Sequence, residues 1–197
     1  MNEPRIAIIE RKTRETDIRV ELSLDGTGTS NITTGLGFLD HMLVAFTLHA
    51  RLDLTLNCQG DLEVDDHHCV EDCAIVLGLA LDQALGDRKG IVRYGDQLLP
   101  MDESLARAAI DVSGRPFAIV NLNLTRETLG QVSCENLPHF FQTFTTNARL
   151  TLHLDVLKGE NDHHKTEAAF KACARALRKA IAFDTSPILP STKGVLA

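Results

Sequence analysis

One pattern occurs twice, and it constrains the fold of this chain more than any other feature. His67-His68-Cys69-Val70-Glu71 follows Asp66, and His163-His164-Lys165-Thr166-Glu167 follows Asp162, so each stretch reads D-H-H-x-x-E. On a helix the Glu stands about one turn beyond both histidines and shares a face with them. The adjacent histidines diverge by about a quarter-turn, so one pentad can offer ligands to two different metal ions. Upstream, His41 precedes Ala50-Arg51-Leu52 at the interval at which His139 precedes Ala148-Arg149-Leu150. From there to the pentads the second copy is two residues shorter, a difference a loop absorbs. The chain therefore reads as an internal duplication with its boundary near residues 88–94.

Each copy carries the same order of elements. In the first, Arg5 to Glu10 and Asp17 to Leu24 alternate apolar and polar residues as half-buried strands do. Asp25-Gly26 signals a hairpin turn, and a third strand covers Thr29 to Thr34. Phe38 to Phe46 has helical spacing, Leu52, Leu54 and Leu56 alternate as a strand, and Asp65 or Asp66 suits the N-cap of a helix that runs to Gly86. The second copy offers strands at Gln97 to Glu103, Leu105 to Val112 and Phe117 to Leu124. A helix at Leu137 to Asn147, a strand at Leu150 to Leu154 and a helix from Asp162 to Phe183 complete it. The expected class is α+β: two βββαβα half-domains, at 1–92 and 93–183, with their helices packed between two sheets because each sheet has one apolar face to bury. Residues 184–197, with Pro187, Pro190 and Gly194, read as an extended tail.

Composition removes several classes of function. At 197 residues and 44% hydrophobic, the chain can bury a proper core. No apolar run approaches the ~20 residues of a membrane span, and Met1-Asn2-Glu3-Pro4-Arg5 lacks the apolar stretch of a signal peptide, so a cytoplasmic protein without a membrane partner is expected. The net charge of −7 argues against a general nucleic-acid binder. Five cysteines, an odd number without a C-x-x-C pair, read as buried free thiols.

Six of the eight histidines fall at repeat-matched positions: His41 with His139, His67 with His163, His68 with His164. With the matched acids Glu71 and Glu167 they supply ligands for two sites of three imidazoles and one carboxylate. If the repeat relates the sites, one division is His41, His68, His163 and Glu167 against His67, Glu71, His139 and His164. Exchanging the adjacent histidines within each pentad satisfies the repeat equally. Nitrogen-rich sites with one carboxylate suit Zn, Fe, Ni, Co or Mn rather than Ca or Mg. His49, beyond His41 on the same helix, is a candidate substrate contact; His153, in a strand, reads as structural. Arg93, Arg115, Lys171 and the Ser191-Thr192-Lys193-Gly194 stretch could build a phosphate pocket, although each cation taken singly reads as a solvated surface charge. Gly35-x-Gly37 lacks the third glycine of a dinucleotide fingerprint.

Together the pentads, Phe38-Leu39-Asp40-His41-Met42, Pro138-His139-Phe140-Phe141 and Ser191-Thr192-Lys193-Gly194 resemble the imidazoleglycerol-phosphate dehydratase family, over nearly the whole chain from Arg11 to Gly194. The resemblance implies a manganese-dependent removal of water from imidazole glycerol phosphate, giving imidazole acetol phosphate in histidine biosynthesis. It implies helices between two four-stranded sheets, and a homo-oligomer of twenty-four subunits whose metal ligands come from neighbouring chains. By the match, His41, His67, His68, Glu71, His139, His163, His164 and Glu167 are metal ligands for two manganese ions, and Glu15 is the substrate-contacting acid. His67, Glu71, His163 and Glu167 join Glu15 in the catalytic set. Arg93, Arg115, Lys171, Ser191, Thr192 and Lys193 resemble the phosphate side. A dinuclear metallohydrolase and a non-catalytic metal-binding assembly protein are the rival readings of the ligands alone; a metallohydrolase usually has more carboxylates, and storage needs no phosphate pocket.

Overall fold

A computed structural model describes residues 4–184 and 191. Its elements repeat one order. The first half contributes β1 (Ile6–Lys12), β2 (Thr16–Ser23), β3 (Ser30–Thr33), α1 (Gly37–Ala50), β4 (Asp53–Gly60) and α2 (His67–Leu85). The second contributes β5 (Tyr94–Met101), β6 (Ser104–Asp111), β7 (Phe117–Asn121), a short pair β8 (Thr128–Leu129) and β9 (Val132–Ser133), α3 (Asn136–Asn147), β10 (Thr151–Lys158) and α4 (Asp162–Ala180).

Two four-stranded sheets have the matched orders β1-β2-β4-β3 and β5-β6-β10-β7. In each, one strand runs parallel to its neighbour, β3 beside β4 and β7 beside β10, and the others pair antiparallel. Alternation decides which face is buried: Ile18, Val20 and Leu22 of β2 and Leu54 and Leu56 of β4 point inward, as do Ala106, Ala108 and Ile110 of β6 and Leu152 and Leu154 of β10. The helices fill the space between. α2 lies on β1 and β2, α4 on β5 and β6, while α1 packs against α4 and α3 against α2. Each short helix thus crosses to the long helix of the other half. Phe140, Phe141 and Phe170 cluster where α3 meets α4, with Phe141 and Phe170 centroids 4.5 Å apart. Small residues bring α4 close to its sheet: an added Cβ at Gly95 would run into the carbonyl oxygen of Ala176. All five cysteines are free and buried, and no helix among the described residues is long and apolar enough to cross a membrane.

Three expectations need correction. Asp25-Gly26 does not close a hairpin, because β4 stands between β2 and β3 and the loop is a crossover. Its shape is held from outside by Asp53, whose Oδ1 accepts from the backbone N–H of Thr27, Gly28 and Thr29. α4 stops at Ala180 rather than Phe183, because the segment after it pairs with residues 90–93 instead: Arg93 N donates to Ala180 O, Val92 N to Ala182 O and Asp184 N to Gly90 O. β7 ends at Asn121 rather than Leu124, and the β8–β9 pair that follows was not expected. The tail lies outside the described residues apart from Asp184 and Ser191.

Candidate metal centres

The four pentad histidines divide by their place in the pentad, and His41 and His139 join the first of each pair. On α4, one turn of helix sets His163 above Glu167, and α1 brings His41 to the same point: His163 Nε2 lies 3.1 Å and His41 Nε2 3.4 Å from Glu167 Oε2. On α2, Glu71 meets His139 from α3, with Nε2 3.0 Å from Oε1, and His67 Nε2 stands 3.9 Å from Oε2. In each triad one donor atom per residue lies within 4.8 Å of the others, a spacing that lets them converge on one ion. Each triad holds three of the four members of one set in the first of the two divisions open to the sequence, while His68 and His164 stand outside both triads. Each triad takes one histidine from a short helix of one half and a His-Glu pair from the long helix of the other.

The second histidine of each pentad faces elsewhere, as the quarter-turn requires. His68 donates from Nδ1 to Asp61, 3.1 Å away, and its Nε2 is 3.8 Å from Glu15. His164 donates from Nδ1 to Glu103, at 2.8 Å, and its Nε2 is 3.7 Å from Asp102. His67 likewise donates from Nδ1 to Asn136 Oδ1, whose amide in turn donates to Asp66. A histidine tied at Nδ1 keeps its Nε2 lone pair outward, which is how metal-ligating imidazoles are held. The donor set fits a nitrogen-preferring divalent metal.

The α2 entry also settles which aspartate does what. Asp65 accepts from the backbone N–H of His67, while Asp66 accepts from Ser133 and Asn136 and so fastens the start of α2 to β9 and α3. On α4, Asn161 accepts from His163 N. These bonds fix the first turn of each long helix, where the pentads sit.

Charge is arranged around the triads. Burial works to raise Glu167, but Lys171, 2.6 Å away, together with His41 and His163, carries it below the ordinary carboxylate range. Asp61 raises His68, and Glu103 raises His164. The backbone N–H of Asn161, followed by His164, holds Glu103 far below the usual range. His49 sits in the last turn of α1, where burial, Lys171 and Arg175 lower its pKa.

The basic residues differ in setting. Arg93 is not a solvated charge: it is 7% exposed, and its guanidinium forks onto Asp111 at 2.7 and 3.0 Å. Arg115 is mostly exposed and lies 3.9 Å from the same carboxylate, so these two cations are neighbours. Ser191 is described and half-buried, whereas Thr192 and Lys193 lie outside the described residues. His153, on β10, meets the ring of Phe117 and stands apart from both triads.

Sequence reasoning missed Asp61, Glu103 and Asn136. For Glu103 a signal existed, since β1–β2 and β5–β6 close over matched two-residue turns, Arg14-Glu15 and Asp102-Glu103. Asp61 and Asn136 carry no periodic mark.

A family model described as imidazoleglycerol-phosphate dehydratase matches residues 34–177. A protein of that name from Phytophthora nicotianae is 55% identical over 98% of this chain, which spans 43% of that longer protein. One from Chlorobium luteolum is 55% identical over 98% of this chain and 96% of its own length. Among solved structures, imidazoleglycerol-phosphate dehydratase from Staphylococcus aureus superposes with a TM-score of 0.82 at 43% identity, over 90% of this chain and 99% of the other. A Pyrococcus furiosus structure of IGPD in complex with (S)-C348 gives 0.82 at 37% identity, over 95% of this chain and 100% of the other.

Proposed function

Because the chain belongs to the imidazoleglycerol-phosphate dehydratase family, we propose that it removes water from imidazole glycerol phosphate to give imidazole acetol phosphate, a carbon–oxygen lyase of histidine biosynthesis. The single observation that carries the reading within this molecule is the pair of repeat-related His-His-Glu triads. They suit two manganese ions, completed by His68 and His164 of neighbouring copies in a cytoplasmic assembly of twenty-four subunits. The second histidines support this, since they are tethered at Nδ1 and their Nε2 atoms, without a hydrogen bond among the described residues, lie outside either triad. So do Ile6, Ile8, Leu98, Phe117 and Ile119, which leave apolar area exposed on a single chain.

The proton to be removed sits on a carbon that bears a hydroxyl and no neighbouring carbonyl, so direct abstraction is slow. When bound, the ions supply Lewis acidity and a template for the imidazole ring. Glu15, half-exposed on the β1–β2 turn beside His68, moves the proton. Arg93, Arg115, Lys171, Ser191, Thr192 and Lys193 form the phosphate side; the Arg93 fork is held by Asp111, while the exposed Arg115 beside it offers its own fork and Lys a point charge. His49 lines the substrate side of α1.

Incubating the manganese-loaded protein with imidazole glycerol phosphate tests the reading. A ketone product is expected; release of inorganic phosphate would indicate a metallohydrolase, and no reaction a binding protein. Glu15→Gln should keep its metal while turnover collapses by about 10²-fold or more.

A further inference from the structure

The repeat places Glu15 and Glu103 at the same point of their halves, yet the structure uses them differently. β1–β2 and β5–β6 turn over Arg14-Glu15 and Asp102-Glu103, between Thr13 and Thr16 in one case and Met101 and Ser104 in the other. Glu103 is fully engaged. Its Oε1 accepts from the backbone N–H of Asn161 at 2.9 Å and Glu160 at 3.2 Å, and its Oε2 takes Nδ1–H of His164 at 2.8 Å. Among the described residues, the Glu15 carboxylate makes no hydrogen bond; it stands 3.8 Å from His68 Nε2, with its side chain 53% exposed.

The difference traces to a third position. The Nδ1–H of His68, matched to His164, goes to Asp61, with both carboxylate oxygens at 3.1 Å. Asp61 follows β4 directly, as Gly159 follows β10 after a strand of the same length. Gly159 cannot carry a side chain. Its φ is +145°, and a Cβ there would run into Ser104 Oγ. The second half therefore has to orient its histidine with the turn glutamate, and the first half need not.

We propose that Asp61 is a positioning residue that frees Glu15 for proton transfer, by making to His68 the orienting bond that Glu103 makes to His164. The proposal rests on the reading of Glu15 as the proton-moving group. A carboxylate engaged with an imidazole N–H has its lone pairs directed at that N–H and away from substrate, so it is not placed to take a substrate proton. The β1–β2 turn is fixed through its backbone, Glu15 O accepting from the main-chain N–H at position 61 at 3.1 Å, while the Glu15 side chain remains available.

The experiment uses the full-length, manganese-loaded protein with Asp61→Gly, which installs the residue found at position 159, beside Asp61→Asn and Glu15→Gln. In Asp61→Gly, Glu15 should swing to His68 Nδ1, visible in a crystal structure as a hydrogen bond, and kcat should fall by about 10- to 100-fold at nearly constant KM. Asp61→Asn retains an acceptor for Nδ1–H and should recover most of that loss, which a merely structural role for the carboxylate would not permit. Wild-type kcat in Asp61→Gly would overturn the proposal. So would a lowered kcat with Glu15 still clear of Nδ1, or an Asp61→Asn variant as impaired as the glycine. If Glu15→Gln turns over normally, the proton-transfer reading fails instead, and the crystal structure of Asp61→Gly still decides whether Asp61 keeps Glu15 off the imidazole.

Discussion

At the scale of the residue, one carboxylate can shape backbone that no hydrophobic pattern describes. Asp53 gathers three N–H groups of the β2–β3 crossover, and those bonds, from Thr27 first and then Thr29, lower its pKa. A depressed folded-state pKa gives stability that is present above the ordinary carboxylate range and lost as pH falls through the lower folded value. Asp53→Asn should therefore melt earlier at neutral pH, by about 1 kcal/mol after allowing for solvent screening. Thermal melts across pH should show the two proteins converging on acidification; a constant gap would contradict the assignment. The same residue explains why Asp25-Gly26 misleads: turn chemistry is local and says nothing of which strand comes next in the sheet. Glu15 illustrates the limit at the site. Lying between two strands, it has the sequence character of a surface charge, and only the family resemblance singled it out. Asp61 was not read at all, because an orienting bond between a loop and a helix leaves no spacing behind.

Among the elements, the long helices were legible because their apolar residues and pentads share one period, and the paired sheets because alternation recurs at matched places. What escaped was either too short for a period, as with the two-residue strands β8 and β9, or decided by a remote segment. Ile181, Ala182 and Phe183 continue the apolar run of α4, yet Arg93 and Val92 donate to the carbonyls of Ala180 and Ala182 and Phe183 bridges to Ile91, so the chain pairs as an extended segment there instead of coiling on. The fit of α4 to its sheet depends on Gly95. Gly95→Ala forces a methyl group into the Ala176 carbonyl, so the helix must shift, at a cost of about 1–3 kcal/mol. Since α4 carries His163 and Glu167, we expect a lower melting temperature together with weaker manganese binding, measured by calorimetry and metal analysis. Wild-type values for both would show that the helix accommodates the methyl group without moving.

For the whole molecule, the proposed ligand set couples metal binding to association. His67 belongs to a triad within the chain and His164 does not, yet both are proposed ligands. His67→Ala and His164→Ala should each reduce bound manganese and yield smaller particles by light scattering. An unchanged metal count in both would contradict the ligand set. If only His67→Ala lost metal, the triads would be complete without a neighbour.

Each triad draws its histidine from one half and its His-Glu pair from the other. A half-chain by itself could therefore hold no complete triad, whereas two copies of the same half, docked as these halves are, would hold two identical ones. In such a pair neither triad would form until the two copies had docked. Two halves within one chain carry no obligation to be alike, and the aspartate at 61 opposite the glycine at 159 is a place where they differ.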